Sequence, residues 1–363
     1  MKILVVSQMY PGPEAPELGI FVAGQVAALR ELGHSVEVAA IRRRGIGPGK
    51  QARLFWDAIR LMVTFRPDVV YAHYLAPAGV FAALACLPFP RVGLVAAAHG
   101  GDVANIGRVP GIRLATEFLA RRADGAVAVS RFLADELETR IPRFRDRVEV
   151  IDSGVDVEQT FTPGPQEEAR VELVARHPDL APWPEGTAFV FVGALSELKN
   201  VTRLADAFET LGDGSLTFIG SGPLAELLTG RARIRVVGAV PNDQVVTWLR
   251  ASDVLCLPSL REGFGQVLIE AMGCERSVVA TRNGGPAEFV TPDVGVLVEP
   301  TNVMDLAAGL AAASALPKPN QSARAAALAH DVRHQARRVS DLLQRAVSKR
   351  RPTLAARTGR HPA

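Results

Sequence analysis

Short β-branched runs alternate along this chain with longer segments of helical periodicity. Ile3–Ser7, Val36–Ala40, Val69–Ala72, Gly125–Val129 and Val148–Ile151 read as strands, and the apolar run Val92–Ala98 reads as a strand buried on both faces. Phe21–Gly33 has an amphipathic helical pattern and closes on a glycine, the residue best suited to a left-handed C-cap. The pattern restarts with Ala188–Gly193, Leu216–Gly220, Ile234–Gly238, Val254–Pro258, Ser277–Thr281 and Gly295–Val298. Such alternation predicts an α/β protein with parallel sheets covered on both faces. Between the two runs, Pro163, Pro165, Pro178, Pro182 and Pro184 mark residues 161–186 as a linker. The predicted organisation is a Rossmann-like domain over 1–160, that linker, and a second Rossmann-like domain over 187–325. A basic helix over 326–350 follows, packing back toward the N-terminal domain, and then a disordered tail over 351–363. Ligands of such sheets sit beyond the C-terminal ends of the strands, so a cleft between two facing domains is the expected site.

Composition sharpens this picture in three places. The 363 residues are 48% hydrophobic and 22% charged, which suits two globular domains and excludes a disordered chain. The net charge is only +3, but residues 318–363 carry 11 Lys+Arg against 2 Asp+Glu, which leaves the rest of the chain mildly acidic. No nucleic-acid partner is expected; the basic tail, together with Arg42-Arg43-Arg44, could meet an anionic membrane surface. Cys86, Cys256 and Cys274 are odd in number and match no metal spacing, so they read as free buried thiols of a reducing compartment. The apolar run after Lys2 is too short for a signal-peptide core, and Leu75–Ala98 is interrupted by Pro77, Pro88, Pro90 and Arg91. The expectation is a soluble cytoplasmic protein, with peripheral contact at the inner face of the plasma membrane as an extension of it.

The candidate chemistry is concentrated in Pro258-Ser-Leu-Arg-Glu-Gly-Phe-Gly-Gln-Val-Leu-Ile-Glu270. A helix that opens on Gly263-Phe264-Gly265 leaves backbone N–H groups and the positive end of its dipole facing outward, which suits a diphosphate. Glu262 stands at the mouth of that turn and Glu270 a turn or more further along. A ligand with hydroxyls at both ends and phosphates between them, such as a nucleotide sugar, would use all three features.

This element resembles the signature of retaining GT-B glycosyltransferases, specifically glycosyltransferase family 4. The resemblance extends to Phe191-Val-Gly193-Ala194-Leu-Ser-Glu-Leu-Lys199-Asn200, Ile219-Gly-Ser-Gly-Pro-Leu224 and Asn283-Gly-Gly-Pro-Ala-Glu288. In the first half it takes in Gly19-Ile-Phe-Val22, His99-Gly-Gly-Asp102 and Val129-Ser130, so that it covers residues 1 to about 310. Members that build bacterial surface polysaccharides are the most similar at the opening segment. The resemblance implies a nucleoside diphosphate sugar donor held mainly by the C-terminal domain and a glycan or lipid-linked acceptor held by the N-terminal one. It also implies transfer with retention, no cofactor beyond the donor itself, and no obligatory metal. The sequence adds that no Asp-x-Asp pair occurs.

Carried over residue by residue, the catalytic group is His99, Lys199 and Glu262. Glu262 would contact the donor sugar, Glu270 the ribose, and Lys199 the diphosphate. Gly19, Gly193, Gly263, Phe264 and Gly265 would let the backbone approach the donor. Asp102 either shapes its loop or binds acceptor, and Glu288 is a surface residue or a ligand. The chain departs from the family pattern at Ala194, where an arginine is usual. Arg203, Arg261 and Arg282 are candidates to replace that charge. Two other readings are weighed: a nucleotide-sugar epimerase or phosphorylase of the same fold, and a non-catalytic nucleotide-sugar-binding partner subunit. A nicotinamide dehydrogenase fits poorly, because no Gly-x-Gly-x-x-Gly follows the first strand.

Overall fold

The computed structural model describes residues 1–43, 45 and 47–351. The chain divides into two compact units, residues 1–154 with the segment from Val332 onward, and Val155–Asp331. The expected tail over 351–363 lies outside the described residues except for Arg351.

The first unit is built on six parallel strands: β1 (Lys2–Ser7), β2 (Ser35–Ala40), β3 (Val69–His73), β4 (Gly93–Ala98), β5 (Gly125–Ala128) and β6 (Val148–Val150). Their order is β2-β1-β3-β4-β5-β6, and every pairing is parallel. Strands β3 and β4 are buried at every position, as a sheet covered on both faces requires. The C-terminal helix Val332–Arg350 belongs to this unit. Its apolar face (Ala336, Val339, Leu343, Ala346) packs with Ile3, Val5, Leu29, Tyr71 and Val95 in one core. The helix begins later than the expected residue 326, because a separate helix, Gln321–Leu328, closes the second unit first. Several of its basic groups are spent inside the unit: Arg350 bonds Asp124 at 2.7 Å, Arg351 bonds Asp68 at 2.9 Å, and Arg338 donates to the carbonyl of Val150.

The second unit carries β7 (Ala188–Val192), β8 (Ser215–Ile219), β9 (Ile234–Gly238), β10 (Val254–Leu257), β11 (Ser277–Thr281) and β12 (Gly295–Val298). The order β12-β11-β10-β7-β8-β9, again all parallel, is that of a doubly wound dinucleotide-type sheet. The strand order reverses between β7 and β10, so the crevice of this unit opens beside the loops that follow those two strands.

Residues 161–186 are not a free linker. They hold the helix Gln166–Arg176 and sit within the second unit. Leu173 and Ala169 are buried, Gln166 donates to the carbonyls of Ala251 and Ser252, and Arg170 lies 5.4 Å from the Trp183 ring. The prolines frame this helix instead of preventing it: Pro165 stands at its N-cap, where a missing N–H costs nothing, and Pro178 follows its end.

The three cysteines are free and buried, and burial pushes Cys86 up to about 11 and Cys274 to about 12, so both are protonated, unreactive thiols. Among the described residues no helix is long and apolar enough to cross a membrane.

Candidate active site

The loops after β7 and β10 meet through side chains 63 residues apart in sequence. Lys199 Nζ lies 2.6 Å from Glu262 Oε2, and Ser259 Oγ donates to the same oxygen at 2.9 Å. Lys199 is 26% exposed and Glu262 12%, so the pair is reachable from solvent yet partly shielded. Its surroundings explain its placement. Asn200 adopts the left-handed conformation that ends the 3-10 turn Glu197–Lys199, a geometry asparagine tolerates better than most residues. Its buried Nδ2 donates to the carbonyls of Pro258 (3.1 Å) and Pro300 (2.6 Å), and Arg203 donates to its Oδ1. The N–H of Leu260 donates to the carbonyl of Leu198 at 2.9 Å. The lysine loop is thus fastened to the glutamate loop by main-chain and buried amide contacts.

Helix Gln266–Gly273 starts directly after this turn. Gly265 is its N-cap at φ 90, with no side chain capping the helix. The N–H groups of Gly263, Phe264 and Gly265 have no protein acceptor among the described residues. Unpaired amides in so shielded a segment call for a polar ligand. The Phe264 ring packs against Phe289 (5.2 Å) and His330 (5.4 Å), so this side chain props the loop while its backbone faces the site.

Backbone closeness dictates the glycines. A Cβ on Gly284 would lie 2.0 Å from the carbonyl oxygen of Glu262, and one on Gly285 would lie 2.3 Å from that of Gly263. The Gly-Gly segment therefore backs the Glu262 loop. Gly193 follows β7 at φ 151, and its carbonyl oxygen would be 1.8 Å from a Cβ on Gly220. Ala194 is exposed beside it. Of the arginines considered as replacements for the missing charge, Arg203 donates to Asn200 and Arg282 to the carbonyl of Leu297, while Arg261 adjoins Glu262. Glu288 is exposed.

Glu270 lies in the second turn of the helix. Burial of its carboxyl pushes it up to about 7, and no hydrogen-bond or ion-pair partner offsets that among the described residues. The unfolded chain gives up this proton near 4.5 and the folded protein only near 7, so the contribution of this carboxyl to stability is greatest in acid and declines as pH rises through that window. The decline attributable to Glu270 is up to about 3 kcal/mol at 1.36 kcal/mol per unit. Glu270→Gln is expected to remove it: melting temperatures followed from acid to mildly alkaline pH should fall more steeply for the wild type than for the variant. Parallel curves would contradict the assignment.

In the first unit, the ends of β1, β3 and β4 gather a second cluster. His99 lies between Phe21 (ring centroids 4.9 Å apart) and Tyr74 (4.7 Å), and its Nε2 is 3.1 Å from Nδ1 of His73. Burial lowers His99 to about 4 against the opposing pull of Asp102, and lowers His73 well below its ordinary range, so both imidazoles are neutral. Gly19, at φ 65, begins the helix Ile20–Glu31; a Cβ there would be 2.6 Å from the Met9 carbonyl oxygen, so it serves close backbone packing.

Asp102 takes the loop-shaping alternative. Its Oδ1 accepts from the N–H groups of His99, Gly100 and Val103, and its Oδ2 from that of Leu75, all within 3.1 Å. Four backbone N–H groups on a 6% exposed carboxylate give Asp102 the loop-shaping role of the two considered for it.

Sequence reasoning missed Asn200 and Ser259 as positioning groups, and His73 and Tyr74 as partners of His99. The strand-end rule points to His73, which closes β3 one residue past the expected end. Among the described residues no group of three or more His, Cys, Asp or Glu side chains is arranged to hold a metal ion.

Comparison with known proteins matches residues 18–159 to the Glycosyltransferase Family 4 model and residues 178–330 to the Glycosyl transferases group 1 model. A Bacillus subtilis protein named as a candidate teichuronic acid biosynthesis glycosyltransferase is 28% identical over 353 residues, covering 85% of this chain and 87% of that protein. A D-inositol 3-phosphate glycosyltransferase of Kribbella flavida is 31% identical over 61% of this chain, and the match spans 55% of its length. Among solved structures, an Anabaena protein in complex with UDP-glucose superposes with TM-score 0.72 at 21% identity, covering 95% of this chain and all of that one. A sucrose-phosphate synthase from Thermosynechococcus elongatus gives TM-score 0.75 at 18% identity, covering 96% and 100%. The two sheets, the paired loops of the second unit and these matches lead to one conclusion: the chain is a glycosyltransferase of the GT-B fold, a family 4-like domain followed by a group 1 domain.

Proposed function

We propose that the protein transfers a sugar, with retention and without a metal, from a nucleoside diphosphate sugar to a glycan or lipid-linked acceptor hydroxyl, in the synthesis of a cell-surface polysaccharide or glycolipid. The observation that carries the donor assignment is the junction of Lys199, Glu262 and the unpaired Gly263–Gly265 amides at the strand-order reversal of the second unit. Lys199 exchanges Glu262 for the diphosphate, and Glu262, still held by Ser259, turns to the sugar hydroxyls. Glu270 has an unused carboxyl for the ribose. The acceptor oxygen forms a bond to the anomeric carbon, the bond from that carbon to the phosphate oxygen breaks, and the acceptor proton passes to the departing diphosphate. Negative charge on the leaving group is met by donors already in place, the arrangement in which electrostatics contributes most to rate. With Ala194 in place of arginine, this chain leans more heavily on Lys199 for that charge.

The teichuronic acid and inositol phosphate relatives support a polar, anionic acceptor class. A panel of UDP-, GDP- and ADP-sugars tests the reading by thermal shift, followed by transfer assays and the configuration of the product linkage. One donor is expected to raise the melting temperature, because ligand bound to the native state adds RT ln(1 + [L]/Kd) to stability. Its sugar should appear in the product with unchanged anomeric configuration. Epimerised or phosphorolysed donor without transfer would favour the epimerase or phosphorylase alternative.

A further inference from the structure

We infer that His73 is a positioning residue that fixes the tautomer of His99, so that His99 presents a protonated Nδ1 to a substrate oxygen. Two neutral imidazoles share one hydrogen bond, between His73 Nδ1 and His99 Nε2 at 3.1 Å, with the rings only 15° from parallel. One ring donates and the other accepts, and each choice fixes both remaining nitrogens.

Suppose first that His99 donates from Nε2. His73 then carries its proton on Nε2, an atom sealed from solvent and without a partner. That leaves a buried N–H unpaired, which forfeits the full desolvation of a donor. Suppose instead that His73 donates from Nδ1. Its sealed Nε2 is then a bare lone pair, and an under-used acceptor is the milder and commoner defect. The second arrangement prevails, and it puts the proton of His99 on Nδ1. That nitrogen has no partner among the described residues and is not one of the sealed atoms, so it is open to a ligand.

The walls of the pocket hold the arrangement. His73 is 1% exposed and packs 4.6 Å from Tyr71, while Tyr74, at φ 78, turns its ring against His99 and donates its hydroxyl to Met9 Sδ at 2.9 Å. The Asp102 carboxylate fixes the His99 backbone but reaches neither ring through a hydrogen bond. His99 is therefore a hydrogen-bond donor at neutral pH, suited to a sugar hydroxyl oxygen or a phosphoryl oxygen and unsuited to act as a general base through Nδ1. The transferase reading supplies the substrate in this statement; the tautomer stands without it.

The test is a long-range ¹H–¹⁵N correlation spectrum of the full chain with ¹⁵N-labelled histidine, free of ligand and near neutral pH, with His99 assigned by its loss in His99→Gln. The account predicts that His99 is protonated at Nδ1 and not at Nε2. A spectrum showing the Nε2 proton overturns it, whether or not the protein transfers sugar. A second arm compares His73→Leu, which has no donor, with His73→Asn, whose amide restores one. The leucine variant should give a mixture of His99 tautomers and lose about tenfold in kcat/KM, the worth of one hydrogen bond. The asparagine variant should recover both. An unchanged His99 tautomer in folded His73→Leu would also overturn the assignment.

Discussion

Lys199→Ala is expected to lower sugar transfer by about 10²–10³-fold while leaving a folded protein. The size follows from how little charge remains without the lysine. Ala194 offers no charge, Arg203 is bonded to Asn200, and Arg282 is bonded to the carbonyl of Leu297. The backbone amides of Gly263–Gly265 would then face the leaving diphosphate with Arg261, next in the chain to Glu262, as the remaining candidate cation. Stability should change little. The ion pair with Glu262 is partly exposed, and pairs of that kind contribute on the order of 0–1 kcal/mol. Glu262 keeps the Ser259 hydroxyl and gains access to water. Glu262→Ala should abolish transfer as well, through lost sugar contacts, and the double variant should be no worse than the weaker single one. Initial rates of nucleoside diphosphate release, read beside melting temperatures, check this. Wild-type rates in either single variant would remove that residue from the reaction.

Gly284→Ala should be strongly destabilising. The added Cβ would lie 2.0 Å from the Glu262 carbonyl oxygen and 3.0 Å from its carbon, at φ 134 where side chains are strained in any case. Neither neighbour is a flexible side-chain end, so the Gly284 strand-like bridge to Glu262 must part. A loss of roughly 3 kcal/mol or more is expected, in the range reserved for named steric failures. Activity should fall further than stability alone explains, because the displaced carbonyl belongs to Glu262, the residue proposed to contact the donor sugar. Gly212→Ala is the matched control. It sits at φ 76 at a helix C-cap with open space around it, so it carries backbone strain of about 1–2 kcal/mol without a clash. Urea midpoints for the two variants separate the effects; equal midpoints would contradict the close packing of the two loops.

The fold was legible because parallel strands announce themselves. Val69–His73 and Gly93–Ala98 are buried at every position, and an unbroken apolar run bounded by turns has few other homes in an α/β chain. The helix Gln166–Arg176 was obscured by the prolines around it. Its own signals were present, with Glu167 and Glu168 in the first turn and Arg176 in the last, where each charge suits the helix dipole. The site was legible only in part. The Glu262 and Glu270 spacing and the glycine turn stand within one segment, whereas the approach of Lys199 to Glu262 follows from strand order and came from resemblance. Asn200 and Ser259 escaped because their work is done by hydrogen bonds to distant carbonyls or to another loop, and nothing local distinguishes such a residue from a surface polar group. His73 escaped for a related reason: its partner is on the neighbouring strand, 26 residues away.

Donor binding in the proposed reaction depends on a diphosphate gripped at the opening of helix Gln266–Gly273. A crystal structure of the full chain with the nucleoside diphosphate selected in the thermal-shift panel tests this most directly. The phosphate oxygens should lie within hydrogen-bond distance of the Gly263–Gly265 amides and of Lys199 Nζ, with the Lys199–Glu262 contact opened. A diphosphate bound elsewhere, with that ion pair intact, would contradict the account.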